Sequence, residues 1–291
     1  MRHPRSHRGF ALLMTLALVL LAGAAMVGLA QRSLADALEA RSAQRELQRR
    51  WAVASLRATL LGRLESLQVR QEDIDPNAPS GDWPDPSTRQ EFAIELGGRE
   101  YRIVLTDEQA KLNVNALLRS NTPGETESIV RGLTPRPSGG GLVRIRPTRG
   151  VKAVFGYGQV FEGVSPAELV GGGRGEGLAG NVTCWGDGKV NITRASDQTI
   201  RRAIEREVGP RVVRLLLEHR RRHRADGLNG LLKRIDKLSD TDRRTLGRLL
   251  TDQSSCHGLW IIARGDQREW HTLAVSVTAG GRVVQWYEFA W

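Results

Sequence analysis

The stretch "RGFALLMTLALVLLAGAAMVGLA", residues 8–30, carries one charge, at Arg8, and no other appears until Arg32. As a helix at ~1.5 Å per residue, Phe10 to Ala30 is about 30 Å long, which matches the hydrocarbon core of a bilayer. Arg2, Arg5 and Arg8 precede it and assign the short N-terminal side to the cytoplasm by the positive-inside rule. A removed secretory signal is the rival reading, because "GLAQ" (residues 28–31) offers small residues at a cleavage site. The apolar run is longer than the roughly 7–15 residues of a signal-peptide core, which favours a retained span. A plain bitopic anchor also fits.

Beyond the span the helical pattern continues. From Gln31 to Arg70 there is no proline, and glycine occurs only at Gly62. Leu34 and Leu38, then Leu47, Trp51, Ala54, Ala58 and Leu61, recur at three- and four-residue steps, with Arg, Gln and Glu between them. This spacing predicts an amphipathic stalk over residues 31–70, continuous with the span in one helix of about 60 residues, roughly 90 Å long. Its apolar seam needs a partner, either a neighbouring subunit or the chain's own head.

The remainder is long enough for a packed core. Among 291 residues, 26% are charged and 40% hydrophobic, which predicts a mainly soluble head of one large or two modest domains. The net charge of +11 directs attention to anionic lipid, nucleic acid or an acidic protein surface, without choosing among them. Cys184 and Cys256 are the only cysteines and form no CxxC, so neither a zinc module nor a disulfide-rich scaffold is expected.

In "FAIELGGREYRIVLTDEQAKLNVNALL" (residues 92–118), Phe92, Ile94 and Leu96 alternate, as do Tyr101, Ile103 and Leu105, around Gly97–Gly98. That predicts a hairpin. "LWIIARGDQREWHTLAVSVTAGGRVVQWYEFAW" (residues 259–291) reads as a three-stranded meander turning at Gly265–Asp266 and Gly280–Gly281. Helices are expected between, over about 196–208, 210–224, 228–238 and 239–251. Ser196 and Ser165–Pro166 are candidate helix starts, and Ser239 with Asp242 forms a shortened capping box. "TPRPSGGGLVRIRPTRG" (134–150) and "VGGGRGEGLAG" (170–180) read as irregular connectors. Early and late strands flanking a helical block predict an α+β fold, a sheet interrupted by a helical insertion.

Enzymatic signatures are missing from this pattern. There is no HExxH, no GxSxG and no Lys-Ser/Thr end to the glycine-rich runs. His219 and His223 stand four apart, a metal-compatible spacing, but "EHRRRHR" (218–224) surrounds them with guanidinium groups that oppose a dication. The run Arg220, Arg221, Arg222 and Arg224 reads as a solvated helix C-terminus that complements the macrodipole. Nucleic-acid contact is its functional rival. Trp51, Trp83, Trp185 and the C-terminal tryptophans do not interleave with it, so it makes no base-stacking platform.

"RGFALL" after a short basic leader resembles the class III leader of type IV pilins and pseudopilins. In that family a prepilin peptidase cuts after the glycine and methylates the new N-terminus. The resemblance implies a leader of residues 1–9, cleavage between Gly9 and Phe10, N-methylation at Phe10, and a retained transmembrane part at 10–30. Loss of Arg2, Arg5 and Arg8 would lower the net charge by three. Most members carry Glu at the fifth mature position; here it is Met14. A carboxylate inside a bilayer is costly unless paired, so a subunit with no neighbour ahead of it does better without one. In this the chain resembles the K-type minor pseudopilin of type II secretion systems, which caps the pseudopilus tip.

Two further motifs carry that resemblance. The family's "DE-x-G-K-x-N-x-N" is matched by Asp107, Glu108, Lys111, Asn113 and Asn115, with Ala110 in place of the glycine. Its "G-K-V-N-I-N-T-A" is matched by Gly188, Lys189, Val190, Asn191, Ile192 and Ala195, with Thr193 and Arg194 departing. Asp and Asn cap turns with their own side chains, so both read as structural corners rather than catalytic sites, with Asn115 capping a helix that begins at Ala116. The resemblance implies a pilin-like antiparallel sheet begun by residues 71–106, interrupted by an α-domain over 107–255 and completed by 256–291.

It also implies a non-enzymatic protein of the inner membrane, single-pass, with a periplasmic head. The implied partners are I- and J-type minor pseudopilins, the prepilin peptidase, inner-membrane lipid and secreted cargo; nucleic acid is not expected. The alternative is a minor pilin of a type IV or DNA-uptake machine with non-specific DNA contact. Calcium is a candidate cofactor because some K-type relatives bind it, but no ligand is assigned. Asp236, Asp240 and Asp242 lack the glycine turn and terminal Glu of an EF-hand loop. Cys184 and Cys256 flank much of the insertion, and both a disulfide and two buried thiols remain open. A bridge closing about 70 residues would contribute roughly 4 kcal/mol in the chain-entropy model.

Overall fold

The computed structural model describes residues 8–64, 66–67, 89–136, 139–171, 177–222, 227–265, 269–279 and 282–291. Most of the expected leader, residues 71–88 with Trp83, His223, Arg224 and the Gly280–Gly281 turn lie outside them. By its contacts the chain divides into residues 1–54 and 55–291.

Helix α1 (Arg8–Leu61) begins in the first unit and ends in the second. It is long and apolar enough to cross a membrane, and its hydrophobic side chains from Phe10 to Leu38 are exposed. The polar stretch is laced by Glu46, which accepts hydrogen bonds from Arg49 and Arg50. The Arg49 bond holds the Glu46 carboxyl down to about 2. Leu47, Trp51 and Ala58 are exposed, whereas Leu56 and Leu64 are buried. Both stripes are apolar and recur at helical spacing, so periodicity alone does not say which one packs.

All strand pairings in the main sheet are antiparallel, in the order β1 (Arg89–Leu96), β2 (Arg99–Asp107), β9 (Cys256–Arg264), β10 (Glu269–Ala279) and β11 (Arg282–Ala290). Strands β1 (Arg89–Leu96) and β2 (Arg99–Asp107) form the expected hairpin. Its turn is Gly97–Gly98, at φ of 62° and 71°; a two-residue turn with both residues in the left-handed region matches the strands' twist. After β2 come a 3-10 turn (Glu108–Ala110), β3 (Leu112–Asn113), α2 (Val114–Ser120), α3 (Pro123–Leu133) and β4 (Leu142–Val143). There follow β5 (Phe161–Glu162), α4 (Pro166–Val170), β6 (Val182–Thr183) and β7 (Val190–Asn191). The insertion ends with α5 (Asp197–Arg222), α6 (Leu228–Arg234), α7 (Asp240–Leu249) and β8 (Leu250–Thr251). The meander is β9 (Cys256–Arg264), β10 (Glu269–Ala279) and β11 (Arg282–Ala290).

Because β2 pairs with β9, the chain leaves the sheet at Asp107 and returns beside it, with Asp107 opposite His257. Both faces of the sheet are used. Val104, Trp260, Ile262, Leu273 and Val275 share one core with Val114, Tyr157, Val182 and Trp185 of the insertion. The opposite face buries Tyr101, Ile103, Leu105, Leu259 and Ile261, and on that side Arg57 of α1 pairs with Glu288. A second core, including Ile200, Ile204, Leu216, Leu231 and Leu246, holds the helices of the insertion together.

Helix α5 is broken at Gly209, whose φ of 78° and ψ of 160° are not helical, immediately before Pro210. As a straight rod of 26 residues it would separate its ends by roughly 39 Å. Instead Arg220 Nη1 reaches Asp197 Oδ1 at 2.8 Å, so the two halves double back on each other. This corrects the expectation of a solvated basic end for Arg220. It is 5% exposed and also donates to Ala195 O at 2.7 Å. Arg221 and Arg222 remain exposed.

Candidate functional site

The motif residues converge where the sheet opens. Asp107 ends β2 and caps the 3-10 turn, its Oδ1 accepting from the N–H groups of Gln109 at 2.9 Å and Ala110 at 3.2 Å. Its Oδ2 accepts from Ser254 Oγ at 2.5 Å and Asn191 Nδ2 at 3.3 Å, with Arg194 Nε at 3.7 Å. One fully buried carboxylate therefore joins both corners and both ends of the insertion. Asn191 is held by its own turn, its Oδ1 accepting from the N–H and hydroxyl of Thr193. Thus the two residues that depart from the second motif, Thr193 and Arg194, belong to the same junction.

Glu108 lies one step deeper. Its Oε1 accepts from Lys111 Nζ at 2.6 Å and Thr106 Oγ1 at 2.7 Å, and its Oε2 from Thr183 Oγ1 at 2.6 Å. The phenol of Tyr157 lies at 3.4 Å from Oε2 and donates to Val182 O at 3.0 Å. Glu108 and Lys111 are 0% and 1% exposed. A buried ion pair is tolerable only when its remaining lone pairs and protons are satisfied, and this carboxylate has donors at both oxygens. Burial, with the nearby Glu108 charge, pushes the Tyr157 phenol well above its usual value. Room for this pair comes from Gly258. A Cβ there would sit 2.6 Å from Glu108 Oε1 and closer still to Thr106 Oγ1.

The asparagines divide the capping differently from expectation. Asn113, not Asn115, is the N-cap of α2: its Oδ1 accepts from Ala116 N–H at 3.0 Å, and the helix starts at Val114. Asn113 Nδ2 also donates to Trp185 O at 2.6 Å. Asn115 is a clamp instead. It accepts from Val154 N–H and donates to the carbonyls of Val154 and Cys184 at 2.8 and 2.7 Å. Gly188 has φ of 89°, a conformation that favours glycine, and a Cβ there would press on Ala116 Cβ at 3.1 Å and displace the end of the Arg119 side chain. Lys189 contributes its backbone N–H, which donates to Asp187.

Of the two alternatives for Cys184 and Cys256, the structure has two free, buried thiols of the sheet–insertion core. Burial pushes both thiols far up, and the Glu108 carboxylate adds to the shift. Gly9 and Phe10 lie in α1, and Met14 is an exposed position on it. His219 is occupied by Leu215 O at 2.9 Å, and Asp242 by the Ser239 capping box. Among the described residues, no three His, Cys, Asp or Glu side chains gather as metal ligands. Sequence reading overlooks Thr106, Tyr157, Thr183 and Ser254. Thr106 adjoins the first motif and Thr183 lies five residues before the second, whereas nothing local marks Tyr157 or Ser254. The arrangement fixes backbone geometry where four segments cross.

No family model matches the sequence, and no curated protein matches it. Among solved structures, the chain is similar to one in the crystal structure of the GspK-GspI-GspJ complex of the enterotoxigenic Escherichia coli type 2 secretion system. Identity is 15% and the TM-score 0.46, over 86% of this chain and 99% of the other.

Proposed function

We propose that this chain is a K-type minor pseudopilin of a type II secretion system. Residues 10–30 anchor it in the inner membrane with its head periplasmic, and it joins I- and J-type minor subunits to initiate the pseudopilus and support export. Its work is assembly rather than chemistry. The observation that carries the reading is the meeting of both family-like motifs in one junction, Asp107 accepting from Asn191, at the point where the sheet opens to admit a helical insertion. Met14 in place of a membrane carboxylate agrees with a tip position.

The test is co-purification of the full chain with candidate I- and J-type subunits, with mass spectrometry of its N-terminus. A ternary complex containing a chain that begins at N-methylated Phe10 is expected. A bulky replacement, Gly9→Leu, should block processing, and Met14→Ala should leave secretion intact. Failure to bind any such subunit, or a mature chain beginning at Gln31, counts against the reading. One observation favours the DNA-uptake alternative: Arg211, Arg214 and Arg222 are exposed along the second half of α5. Sequence-independent DNA binding that falls steeply with salt would support it.

A further inference from the structure

The two outer strands of the sheet are defended differently. On β1, Glu91 pairs with Arg102 at 2.5 Å and with Arg89 at 2.7 Å, a charged edge of the kind that discourages strand pairing. Strand β11, "RVVQWYEFA", has no proline, and its one carboxylate, Glu288, is already paired with Arg57. A register shift at Val277/Thr278 disturbs only its first residues. Beyond that, Trp291 and His271 exchange both backbone hydrogen bonds. By antiparallel alternation, the N–H and C=O groups of Trp286, Glu288 and Ala290 therefore point away from β10.

At this same end, Phe155, Gly156, Tyr157, Phe289 and Trp291 line a groove of about 330 Å³. Phe155 is 51% and Trp291 44% exposed. The Trp291 ring stacks 5.8 Å from Trp260 and 6.2 Å from Phe289, so its wall is continuous with the core. Just upstream of Phe155, Thr148 N–H donates to Ala153 O and closes a turn carrying exposed Arg149, Val151 and Lys152. An apolar groove thus lies beside a strand edge that pairs with no further strand among the described residues, and a cationic turn ends two residues before Phe155.

We propose that this corner docks an extended, acidic and apolar segment of a partner protein. The segment adds as a strand to the second half of β11, seats an apolar side chain between Phe155 and Trp291, and sets its carboxylates toward Arg149 and Lys152. The open backbone edge supplies main-chain affinity, the groove supplies specificity, and the charges set orientation. Aromatic rings beside cations also suit single-stranded nucleic acid, but that ligand makes no use of a strand's alternating donors and acceptors. The proposal does not depend on pseudopilus assembly, because binding is read on the isolated chain.

The full chain in lipid nanodiscs is panned against a library of short displayed random peptides, beside Ala290→Pro and Phe155→Asp variants. Proline at 290 removes an N–H that faces away from β10, so it blocks strand addition while sparing the native ladder. Both positions are exposed, and thermal unfolding of both variants should match the parent. The expected result is enrichment of sequences alternating apolar residues with Asp or Glu, captured about tenfold or more weakly by each variant. Unchanged capture by the variants, selection without an acidic bias, or no enrichment over empty nanodiscs overturns the proposal. Tighter binding of a short oligothymidylate than of any selected peptide, unaffected by Ala290→Pro, also overturns it.

Discussion

Ser254 donates its hydroxyl hydrogen bond to Asp107 Oδ2 at 2.5 Å, joining residues 147 apart in sequence. Asp107 is the last residue of β2, and Ser254 stands just before β9. The bond therefore closes the mouth of the insertion, and Asn191 reaches the same oxygen from the second corner. Removing the carboxylate would leave two backbone N–H groups and the Ser254 hydroxyl without their acceptor, while the Asn191 amide would keep only its bond to Ser254 Oγ. At 1–3 kcal/mol for each buried group left unsatisfied, Asp107→Ala should cost about 3 kcal/mol or more. Asp107→Asn keeps one acceptor oxygen and should fall between. Denaturant unfolding followed through tryptophan fluorescence checks this, and an Ala variant as stable as the parent would refute it.

The Glu108–Lys111 pair calls for a double-mutant cycle. Lys111→Met strands a carboxylate at a wholly buried position and should destabilise by about 3–5 kcal/mol. Glu108→Gln strands an ammonium there, with a similar penalty. The double variant removes both charges together and should recover much of the loss, giving a large coupling energy. Additive losses would mean that the pair is not a unit.

How much of the fold and its junction is legible in the sequence depends on the range of each interaction. The hairpin follows from alternation around Gly97–Gly98, which needs only neighbouring residues. The capping boxes at Ser165 and Ser239 are equally local. Helix α3 escapes the sequence reading, although Thr122, Pro123 and Glu125 spell its start: N-cap, first position and returning acid. Asn113 and Asn115 both carry a capping signal, and the choice between them lies in carbonyls of residues 154, 184 and 185, invisible to a local rule. Arg220 reads as a solvated helix end because its burial depends on the reversal at Gly209. Tyr157, Thr183 and Ser254 reach their carboxylates from 49, 75 and 147 residues away.

His271 makes stability depend on pH. Burial lowers its pKa below the ordinary 6.5; Glu269, 3.7 Å away, opposes the shift, and the Arg102 charge reinforces it. The folded protein thus binds the proton less readily than the unfolded chain. The stability from neutral His271 is complete above the unfolded value of 6.5 and is lost as pH falls toward the lower folded value. His271→Gln should shrink the drop in urea midpoint between about pH 7.5 and about pH 5.5 relative to the parent. Identical drops in the two proteins would assign the dependence to other groups.

The thiols offer the last test. In the proposed topology Cys184 and Cys256 face an oxidising compartment, where disulfides persist. Compartment alone does not decide their state, because exchange requires an exposed thiolate. Here both sulfurs are buried in the sheet–insertion core, and burial together with Glu108 pushes both thiols far above their ordinary value. Little thiolate is present at neutral pH, and little of it meets reagent. Iodoacetamide should therefore label neither cysteine in the folded chain and both quickly once denaturant opens the core. Non-reducing peptide mapping of membrane-extracted protein should recover two separate alkylatable cysteines. Rapid labelling under native conditions would show instead that the folded core opens, and a linked Cys184–Cys256 peptide would show that oxidation precedes its closure.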